Sequence, residues 1–333
     1  MRVAVLGAYG AVGSRLVATA AAQGHEVTAA GRDPDRLSRI RAHHHVTLAA
    51  GDADELRRVA ESEDVVVNAT GVEDPALVLT TTAAGAAFMD ISAEGAYLER
   101  LARLPHASRP VVAGVGLAPG LTNLLAAGVT GTGPLHIGIV GGVGERHGDA
   151  GRRWVWQTAG KVVTSGGTRQ RVYRAARRFH LPRMGHRTLL RAAFGEQDQL
   201  AADLARPVST WLGLDPPWAT SLLALAGLAP RVGAYLDRLS GPMTARLGRY
   251  QRWQVVVADE TGTLAWASGI EEVHATAAVA ALSLEPLRRA EPGVYAAHRL
   301  LTLAEVRDGL REAGIVIATR AGGGLSAPSV TRE

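Results

Sequence analysis

Three glycines near the start of the chain, Gly7, Gly10 and Gly13, limit the possible folds more than any other feature. They follow an apolar run at residues 3–6 that is typical of a buried strand, and a helical pattern extends over Ala11–Ala22. Glycine at these positions permits a sharp turn, close approach of a pyrophosphate to the backbone, and tight packing of helix on strand. A helix that begins here offers free N–H groups to phosphates. The stretch predicts a dinucleotide-binding βα unit, although an ordinary tight βα turn would use glycine in the same way.

Short apolar runs alternate with helical patterns up to about residue 140. The run at residues 64–69 is apolar almost throughout, as expected for a parallel strand covered on both faces. The alternation predicts an α/β fold, with an N-terminal Rossmann-type, doubly wound parallel sheet over residues 1–140. Ligands of such sheets bind at the carboxyl ends of the strands. The six predicted strands cover residues 3–6, 26–30, 46–49, 64–69, 87–91 and 111–114.

The pattern changes after about residue 145, and residues 141–320 are predicted to form a second, mixed α+β domain for substrate binding or dimerisation. Strand-like runs at 251–258 and 264–269 flank a turn at 259–262, which indicates an antiparallel hairpin. Further strands are predicted at 168–180 and 187–194, with helical stretches between 195 and 250. Helices predicted at 272–284 and 303–313 can return to the first domain. The Gly- and Ser-rich tail at 321–333 is predicted to be disordered.

Composition excludes several classes of function. The chain has no cysteine, so it has no disulfide, thiol nucleophile or thiolate metal site. Arginine supplies nearly all the basic side chains behind the net charge of +5; compositional bias is the preferred explanation, and an anionic ligand is the alternative. Arginines at 169–191 alternate with other residues, which suits an exposed sheet face or an anion pocket better than nucleic-acid binding. No segment approaches the roughly 18 apolar residues of a membrane span, so a cytoplasmic protein is expected, without membrane or nucleic-acid partners.

Three adjacent histidines, His43, His44 and His45, resemble a metal cluster in composition. They precede a predicted strand, where neighbouring side chains alternate between faces. Three such side chains do not converge on one ion, so no metal site is predicted.

The residues that close the second predicted strand favour NADP(H) over NAD. NAD-binding proteins usually have an Asp or Glu here that accepts hydrogen bonds from the ribose. This chain has Ala30 and Gly31 followed by Arg32, whose guanidinium can bind a 2′-phosphate through two hydrogen bonds. Asp33 is expected to cap the next helix. The alternative is that Arg32 is a solvated loop residue.

Four motifs together resemble the saccharopine dehydrogenase-like NADP-binding proteins. They are GAYGAVG at 7–13, AGR at 30–32, DISAE at 90–94 and GVGLAPGL at 114–121, with weaker matches at 275–278 and 292–294. The resemblance is specific only in the first 125 residues. It implies oxidation or reduction of a carbon–nitrogen bond with NADP(H). Distant members of the family reduce carbon–carbon double bonds instead.

One motif departs from the family pattern. Members that act on amino-dicarboxylates tend to have Asp-Pro-Gly followed shortly by His. This chain has Ala118, Pro119 and Gly120, and then Thr122 and Asn123. The missing carboxylate and histidine argue against an amino-dicarboxylate substrate.

The strand ends and these motifs predict the residues of the site. Asp90 and Glu94 are candidate catalytic carboxylates, which would protonate a developing amine or hold an iminium. Their alternative role is to cap the following helix, with Asp90 or Ser92 as the cap. Asn123 is a candidate substrate hydrogen-bond donor. The predicted cofactor contacts are Gly7, Tyr9, Gly10, Ala11, Val12, Gly13, Gly31, Arg32, Asp52, Ala69, Thr70, Gly71, Ser92, Gly114 and Gly116.

The leading hypothesis is an NADPH-dependent oxidoreductase that reduces an imine or related carbonyl compound bound between the domains. A non-catalytic NADP(H)-binding sensor and an enoyl (C=C) reductase are the alternatives, because a binding fold does not establish a reaction. A homodimer is expected, with the apolar region at 211–228 as part of the subunit contact.

Overall fold

The computed structural model describes residues 1–104, 107–144, 154–165, 168–229, 231–233, 235–236, 247–248, 250–321 and 324–325. Two compact units share the chain. The first comprises Met1–Asn123 and Val273–Val306, and the second comprises the described residues of Leu124–Glu272 and Arg307–Glu333.

The first unit contains a parallel sheet of seven strands. The strands are β1 (Arg2–Leu6), β2 (Glu26–Gly31), β3 (His44–Thr47), β4 (Val65–Asn68), β5 (Ala87–Asp90), β6 (Pro110–Ala113) and β15 (Gly293–Ala296). They lie in the order β15-β6-β5-β4-β1-β2-β3, and every neighbouring pair is parallel. The order reverses beside β1, as in doubly wound folds. The predicted α/β class and all six predicted strands are confirmed, whereas β15 was not predicted.

Helices connect these strands. They are α1 (Ala11–Ala22), α2 (Pro34–Leu37), α3 (Ala53–Ser62), α4 (Pro75–Ala83), α5 (Gly95–Ala102) and α6 (Leu121–Ala127). Apolar side chains of β1, β4 and β5 pack with those of α3 and α5 in one buried cluster that includes Leu6, Val66, Phe88, Leu56 and Leu101. Packing in this core determines where each strand ends, and therefore where the loop that follows it begins.

Strand register aligns the carboxyl ends of the central strands. Leu6 pairs with Ala30 on one side and with Asn68 on the other. Asn68 pairs with Asp90, which pairs in turn with Ala113. Because directly paired residues of parallel strands point to the same face, Asn68 and Asp90 lie side by side at the edge where ligands of this fold bind.

The second unit contains a mixed sheet of eight strands in the order β10-β11-β12-β7-β13-β14-β16-β17, and a separate pair β8-β9. In this sheet only β12 and β7 are parallel neighbours. The strands are β7 (Leu135–Gly142), β8 (Val162–Ser165), β9 (Thr168–Arg171), β10 (Ala176–Leu181), β11 (Gly185–Arg191), β12 (Val208–Asp215), β13 (Arg252–Asp259), β14 (Gly262–Ile270), β16 (Val316–Ala321) and β17 (Gly324–Leu325). Among the described residues, the helices after α6 include α7 (Glu196–Asp203) and α8 (Pro217–Leu228) in the second unit. Helices α9 (Glu272–Arg289) and α10 (Ala297–Leu300) lie almost entirely in the first unit, and α11 (Leu303–Glu312) spans the boundary at Val306.

The sequence predicted this second sheet incompletely. The β13–β14 hairpin is confirmed, but β7, β8, β12 and β16 were not predicted. Strands β7 and β12 were not predicted because β7 contains glycines and two prolines follow β12. Glycine and proline indicate turns in a single sequence. The strand predicted at 168–180 is in fact two strands, separated by a turn in which Tyr173 has a φ of 62°. Ala321, Gly324 and Leu325, expected in a disordered tail, lie in strands, and the rest of that tail is outside the described residues.

Several apolar side chains of α8 are partly exposed to solvent. Trp218, Leu225 and Leu228 are 48%, 47% and 61% exposed, whereas Trp211 on β12 is buried. The expected homodimer contact through this region stays a prediction. Among the described residues, no helix has both the length and the apolar character needed to cross a bilayer.

A polar cluster joins three strands of the second sheet. His136 on β7 lies 2.7 Å (Nδ1) from Ser209 Oγ on β12 and 3.1 Å (Nε2) from Glu260 Oε1 in the β13–β14 turn. Arg177 on β10 donates to both oxygens of Glu260. Burial lowers the pKa of His136, and the Glu260 carboxylate partly opposes this shift.

This environment predicts a pH-dependent loss of stability in acid. Because the pKa of His136 is lower in the folded state than the unfolded value of about 6.5, the unfolded state binds the proton first. The free energy of unfolding should fall as the pH drops from about 6.5 toward the folded pKa. Urea unfolding at several pH values should show a shallower acid slope for His136→Gln than for the wild type. His180→Gln, at an exposed position, is the control, and equal slopes for wild type and His136→Gln would refute the prediction.

Candidate functional site

The turn between β1 and α1 is tight and depends on glycine. Gly7 has a φ of 80°, and its N–H donates to Ala30 O at 2.9 Å. A Cβ at Gly7 would lie 2.6 Å from Ala69 O, and one at Gly13 would clash with Gly7 O. The Gly10 N–H closes the turn by donating a hydrogen bond to Gly7 O at 2.8 Å. Side chains at Gly7 or Gly13 would therefore force the strand, the turn and the helix apart.

The N-terminus of α1 is open to an anion. Its cap residue is Gly10, no side chain caps it, and its first turn contains no acidic residue. The first helical hydrogen bond runs from Ser14 N to Gly10 O, so the amides of Ala11, Val12 and Gly13 precede the helical ladder. By contrast, α2, α3, α4 and α5 each begin with a carboxylate that accepts a backbone N–H, from Asp33, Asp52, Asp74 and Glu94. The arrangement at α1 fits the pyrophosphate of a dinucleotide.

An aromatic ring covers the end of β2. A Cβ at Gly31 would lie 2.5 Å from a ring carbon of Tyr9, so only glycine admits the ring there. The Arg32 N–H donates to Tyr9 Oη at 3.2 Å. Asp33 caps α2 by accepting the Arg36 N–H at 3.1 Å, as expected from the sequence. The Arg36 guanidinium, which the sequence analysis missed, lies over the Tyr9 ring at 4.2 Å from its centroid.

Asn68 organises the loop after β4, which contains the predicted cofactor contacts Ala69, Thr70 and Gly71. Its Oδ1 accepts hydrogen bonds from Thr70 N at 3.2 Å and Thr70 Oγ1 at 2.6 Å. Its Nδ2 donates to Val72 O at 2.9 Å and to Asp90 Oδ2 at 2.8 Å. Gly71, with a φ of 74°, completes the turn. Asn68 was not predicted as a site residue, although strand alignment places it beside Asp90.

Asp90 accepts hydrogen bonds through both of its carboxylate oxygens. Its Oδ2 accepts from Asn68 and from Tyr97 Oη at 2.9 Å, and its Oδ1 accepts from Ser92 N at 2.7 Å. Asp90 has no exposed surface. Burial raises the pKa of Asp90, while these hydrogen bonds oppose the rise. Burial, together with the adjacent Asp90 carboxylate, also raises the pKa of Tyr97. The network favours a positioning role for Asp90.

The caps proposed for α5 need a correction. Asp90 and Ser92 do not cap this helix, because the helix begins one turn later than they would require. Glu94 is the cap, and its Oε2 accepts the Tyr97 N–H at 2.6 Å. Unlike Asp90, Glu94 is only partly buried.

The edge beside Glu94 is acidic. Glu73 lies in the loop between β4 and α4, and burial raises its pKa, with further contributions from the carboxylates of Glu94 and Asp90. Arg100 opposes this rise and donates to Glu73 O at 3.3 Å. Such a cluster favours a cationic group beside β4 and β5.

Asn123 shapes the glycine-rich loop after β6. Its Oδ1 accepts the Gly120 N–H at 2.9 Å, and its Nδ2 lies 3.3 Å from His298 Nδ1. Asn123 is 1% exposed, so its hydrogen bonds serve the loop in this structure. In the same loop Gly114 has a φ of 69°, and a Cβ at Gly116 would lie 2.9 Å from Thr276 Cγ2.

The other candidate residues have hydrogen-bond partners of their own. Asp52 is exposed and caps α3 by accepting the Glu55 N–H. The three histidines have separate partners, which are Val27 N for His43, Glu26 for His44 and Ile40 O for His45. In the part of the chain that the structure describes, no group of three or more His, Cys, Asp or Glu could hold a metal ion.

A pocket lies at the opposite, amino-terminal edge of the first sheet. It is lined by residues that include Glu26, Thr28, His44 and Glu63. Thr28 Oγ1 donates to Glu63 Oε1 at 2.6 Å, and burial raises the pKa of Glu63. Because ligands of doubly wound sheets bind at the carboxyl edge, we do not assign this pocket to the cofactor.

Comparisons with known proteins agree with this geometry. Residues 7–96 match a family model described as NAD(P)H-binding. The structure is similar to apo saccharopine dehydrogenase (L-Glu forming) from Saccharomyces cerevisiae, with a TM-score of 0.59 and 15% identity over 96% of this chain and 100% of that chain. An oxidoreductase from Lactococcus lactis matches with a TM-score of 0.26 and 16% identity over 28% of this chain and 48% of that chain. A sequence comparison with curated proteins gives no match.

The first unit therefore contains a domain that matches NAD(P)H-binding proteins over residues 7–96. The expected saccharopine dehydrogenase-like fold is confirmed over nearly the whole chain.

The Asp90 network predicts a measurable cost for losing one donor. Tyr97→Phe removes the hydroxyl that donates to a buried carboxylate, so it should lower the free energy of unfolding by about 1.5–3 kcal/mol. Tyr295→Phe is the matched control, because the Tyr295 hydroxyl donates to Glu291 O at an exposed position. Urea unfolding of both variants measures the difference. Equal effects of the two substitutions would show that the buried Tyr97 hydrogen bond stabilises the fold no more than the exposed Tyr295 bond, which would contradict the prediction.

Proposed function

We propose that this protein is an NADPH-dependent oxidoreductase that reduces an imine or a related carbonyl compound. The observation that carries the proposal is the pairing of an uncapped α1 N-terminus with an arginine at the end of β2. The nicotinamide cofactor supplies the hydride when it is bound. The remaining steps belong to side chains at the carboxyl edge of the first sheet.

The cofactor follows the line of strand ends in this proposal. The amides of Ala11, Val12 and Gly13 hold the pyrophosphate, since they precede the helical ladder of α1. Arg32, beside the end of β2, binds the 2′-phosphate. The nicotinamide half lies along Ala69–Gly71 and the loop that contains Gly114 and Gly116. The tight turns at these positions support this path.

Glu94 is the carboxylate we assign to the substrate. Its Oε2 is held by the Tyr97 N–H, and among the described residues its Oε1 accepts no hydrogen bond. Oε1 can therefore hold the N–H of an iminium or give a proton to the nitrogen as it is reduced. Asp90 and Asn123 act as positioning residues here, because both are buried and hydrogen-bonded to their own loops. The acidic edge around Glu94 supports a cationic substrate.

The reaction is tested by following NADPH oxidation with cyclic imines and with carbonyl-plus-amine pairs. Turnover is expected, and Glu94→Gln should lower kcat by about a hundredfold or more while the affinity for NADPH stays nearly constant. Glu99→Gln, on the exposed face of the same helix, is the control.

Other results of these assays would contradict the role of Glu94 or favour one of the alternative functions. Wild-type kcat in Glu94→Gln would remove the assignment of Glu94. Tight NADPH binding without turnover, together with nucleotide-dependent capture of a partner protein, would favour a sensor. Turnover of conjugated alkenes instead of imines would identify an enoyl reductase.

Cofactor choice is tested at Arg32. A charged hydrogen bond contributes about 1.5–3 kcal/mol, so Arg32→Ala should weaken NADPH binding by roughly ten- to a hundredfold. The affinity for NADH should hardly change, because NADH lacks the 2′-phosphate. Fluorescence titration with both reduced cofactors measures this, and equal changes for the two would leave NADPH selection unsupported. Ala30→Asp would place a carboxylate at the end of β2, where NAD-binding proteins usually have one. It is a poor test of cofactor choice here, because Ala30 has no exposed surface.

A further inference from the structure

Tyr9 lies between the phosphate-binding turn and the end of β2. It belongs to the glycine-rich turn, between Gly7 and Gly10. One edge of its ring fills the space beside Gly31, and its hydroxyl accepts the Arg32 N–H. The pyrophosphate turn and the residue proposed to bind the 2′-phosphate therefore share one side chain.

The Arg36 guanidinium packs over the aromatic ring of Tyr9. Its guanidinium carbon lies 4.2 Å from the Tyr9 ring centroid, and Nη2 lies 3.5 Å from Tyr9 O. Its backbone is fixed as well, since its N–H donates to Asp33 Oδ1. Two separate contacts thus orient an exposed arginine toward the turn, although a free arginine would sample many rotamers.

Stacking leaves the hydrogen-bonding capacity of Arg36 largely intact. A guanidinium above an aromatic ring interacts through its face, while its N–H donors point outward in its own plane. In the described part of the chain, neither Arg32 nor Arg36 has a carboxylate within salt-bridge distance. Two cations without a carboxylate partner therefore flank the end of β2.

We propose that Arg36 is a second specificity-determining residue for the 2′-phosphate, and that Tyr9 is the positioning residue that directs both arginines to it. The inference rests on the proposed function, because it assumes NADPH as the cofactor. It adds to that function a two-arginine phosphate site built on an aromatic platform. A phosphate with up to two negative charges matches two such cations.

The test separates the phosphate from the rest of the cofactor. Wild type, Arg36→Ala, Tyr9→Phe and Tyr9→Leu are titrated with NADPH, NADH and 2′,5′-ADP by calorimetry or fluorescence. Arg36→Ala should weaken NADPH and 2′,5′-ADP by roughly tenfold and leave NADH nearly unchanged. Arg39→Ala is the matched control, because Arg39 is an exposed arginine just beyond α2.

The two Tyr9 variants distinguish the ring from the hydroxyl. Tyr9→Phe keeps the platform for Arg36 and should change NADPH affinity by about twofold at most. Tyr9→Leu removes the platform and should lower it by about fivefold, in line with an exposed cation–π contact. Circular dichroism and thermal melting check that each variant is folded.

Failures of the two proposals are distinguishable. If the wild type binds NADPH and NADH equally, the NADPH assignment fails and this inference fails with it. If the wild type prefers NADPH and Arg32→Ala removes the preference, but Arg36→Ala retains it, only the role of Arg36 is overturned. Equal loss of NADPH and NADH in Arg36→Ala would also overturn it, since Arg36 would then support the turn and not the phosphate.

Discussion

The hydrogen bond from Asn68 to the buried carboxylate of Asp90 is the contact on which the carboxyl edge of the first sheet depends. A carboxylate without exposed surface is costly unless donors surround it. Asn68, Ser92 and Tyr97 supply three such donors. Each donor belongs to a different segment, namely the end of β4, the loop after β5 and helix α5. One buried charge thereby fixes the positions of three segments that border the proposed cofactor path.

Charge is distributed unequally along this edge. The side beside β1 and β2 has the uncapped α1 N-terminus and two arginines, Arg32 and Arg36. The side beside β4 and β5 has the carboxylates of Glu73 and Glu94, and burial raises the pKa of Glu73, with smaller contributions from the carboxylates of Glu94 and Asp90. NADP(H) has its pyrophosphate in the middle, its 2′-phosphate on the adenosine half, and at the other end a nicotinamide, which is cationic when oxidised. The distribution of charge therefore supports both the direction of the cofactor and a cationic substrate beside the nicotinamide.

Local patterns in the sequence predicted most of the first sheet but little of its side-chain chemistry. Strands β1 to β6 and the glycine turn were predictable, because each is determined by residues close together in the chain. Strand β15 was not, because Gly293–Ala296 becomes a strand only by pairing with β6, far away in sequence. The Asp90 network was missed for a related reason. Helix α5 begins at Gly95, and the Tyr97 hydroxyl in its first turn donates to Asp90, a contact that depends on how α5 packs against the end of β5. The Arg36–Tyr9 stack likewise depends on how α2 lies against the turn, which no short sequence pattern encodes.

The burial of Asp90 also bears on which side chain supplies a proton in the proposed reduction. The sequence offered Asp90 and Glu94 as equivalent candidates, since both follow β5. In the structure the two oxygens of Asp90 accept three hydrogen bonds, and its donor Tyr97 has a raised pKa and so holds its own proton firmly. Asp90 could act as an acid only after it had taken up a proton, and a proton on either oxygen would compete with these donors and loosen the segments that they hold. Glu94 accepts one backbone N–H through Oε2 and is partly exposed, so its Oε1 is accessible to a substrate while the cap on α5 stays in place. Of the two carboxylates, Glu94 is therefore the one suited to proton transfer, and Asp90 the one suited to holding the site in place.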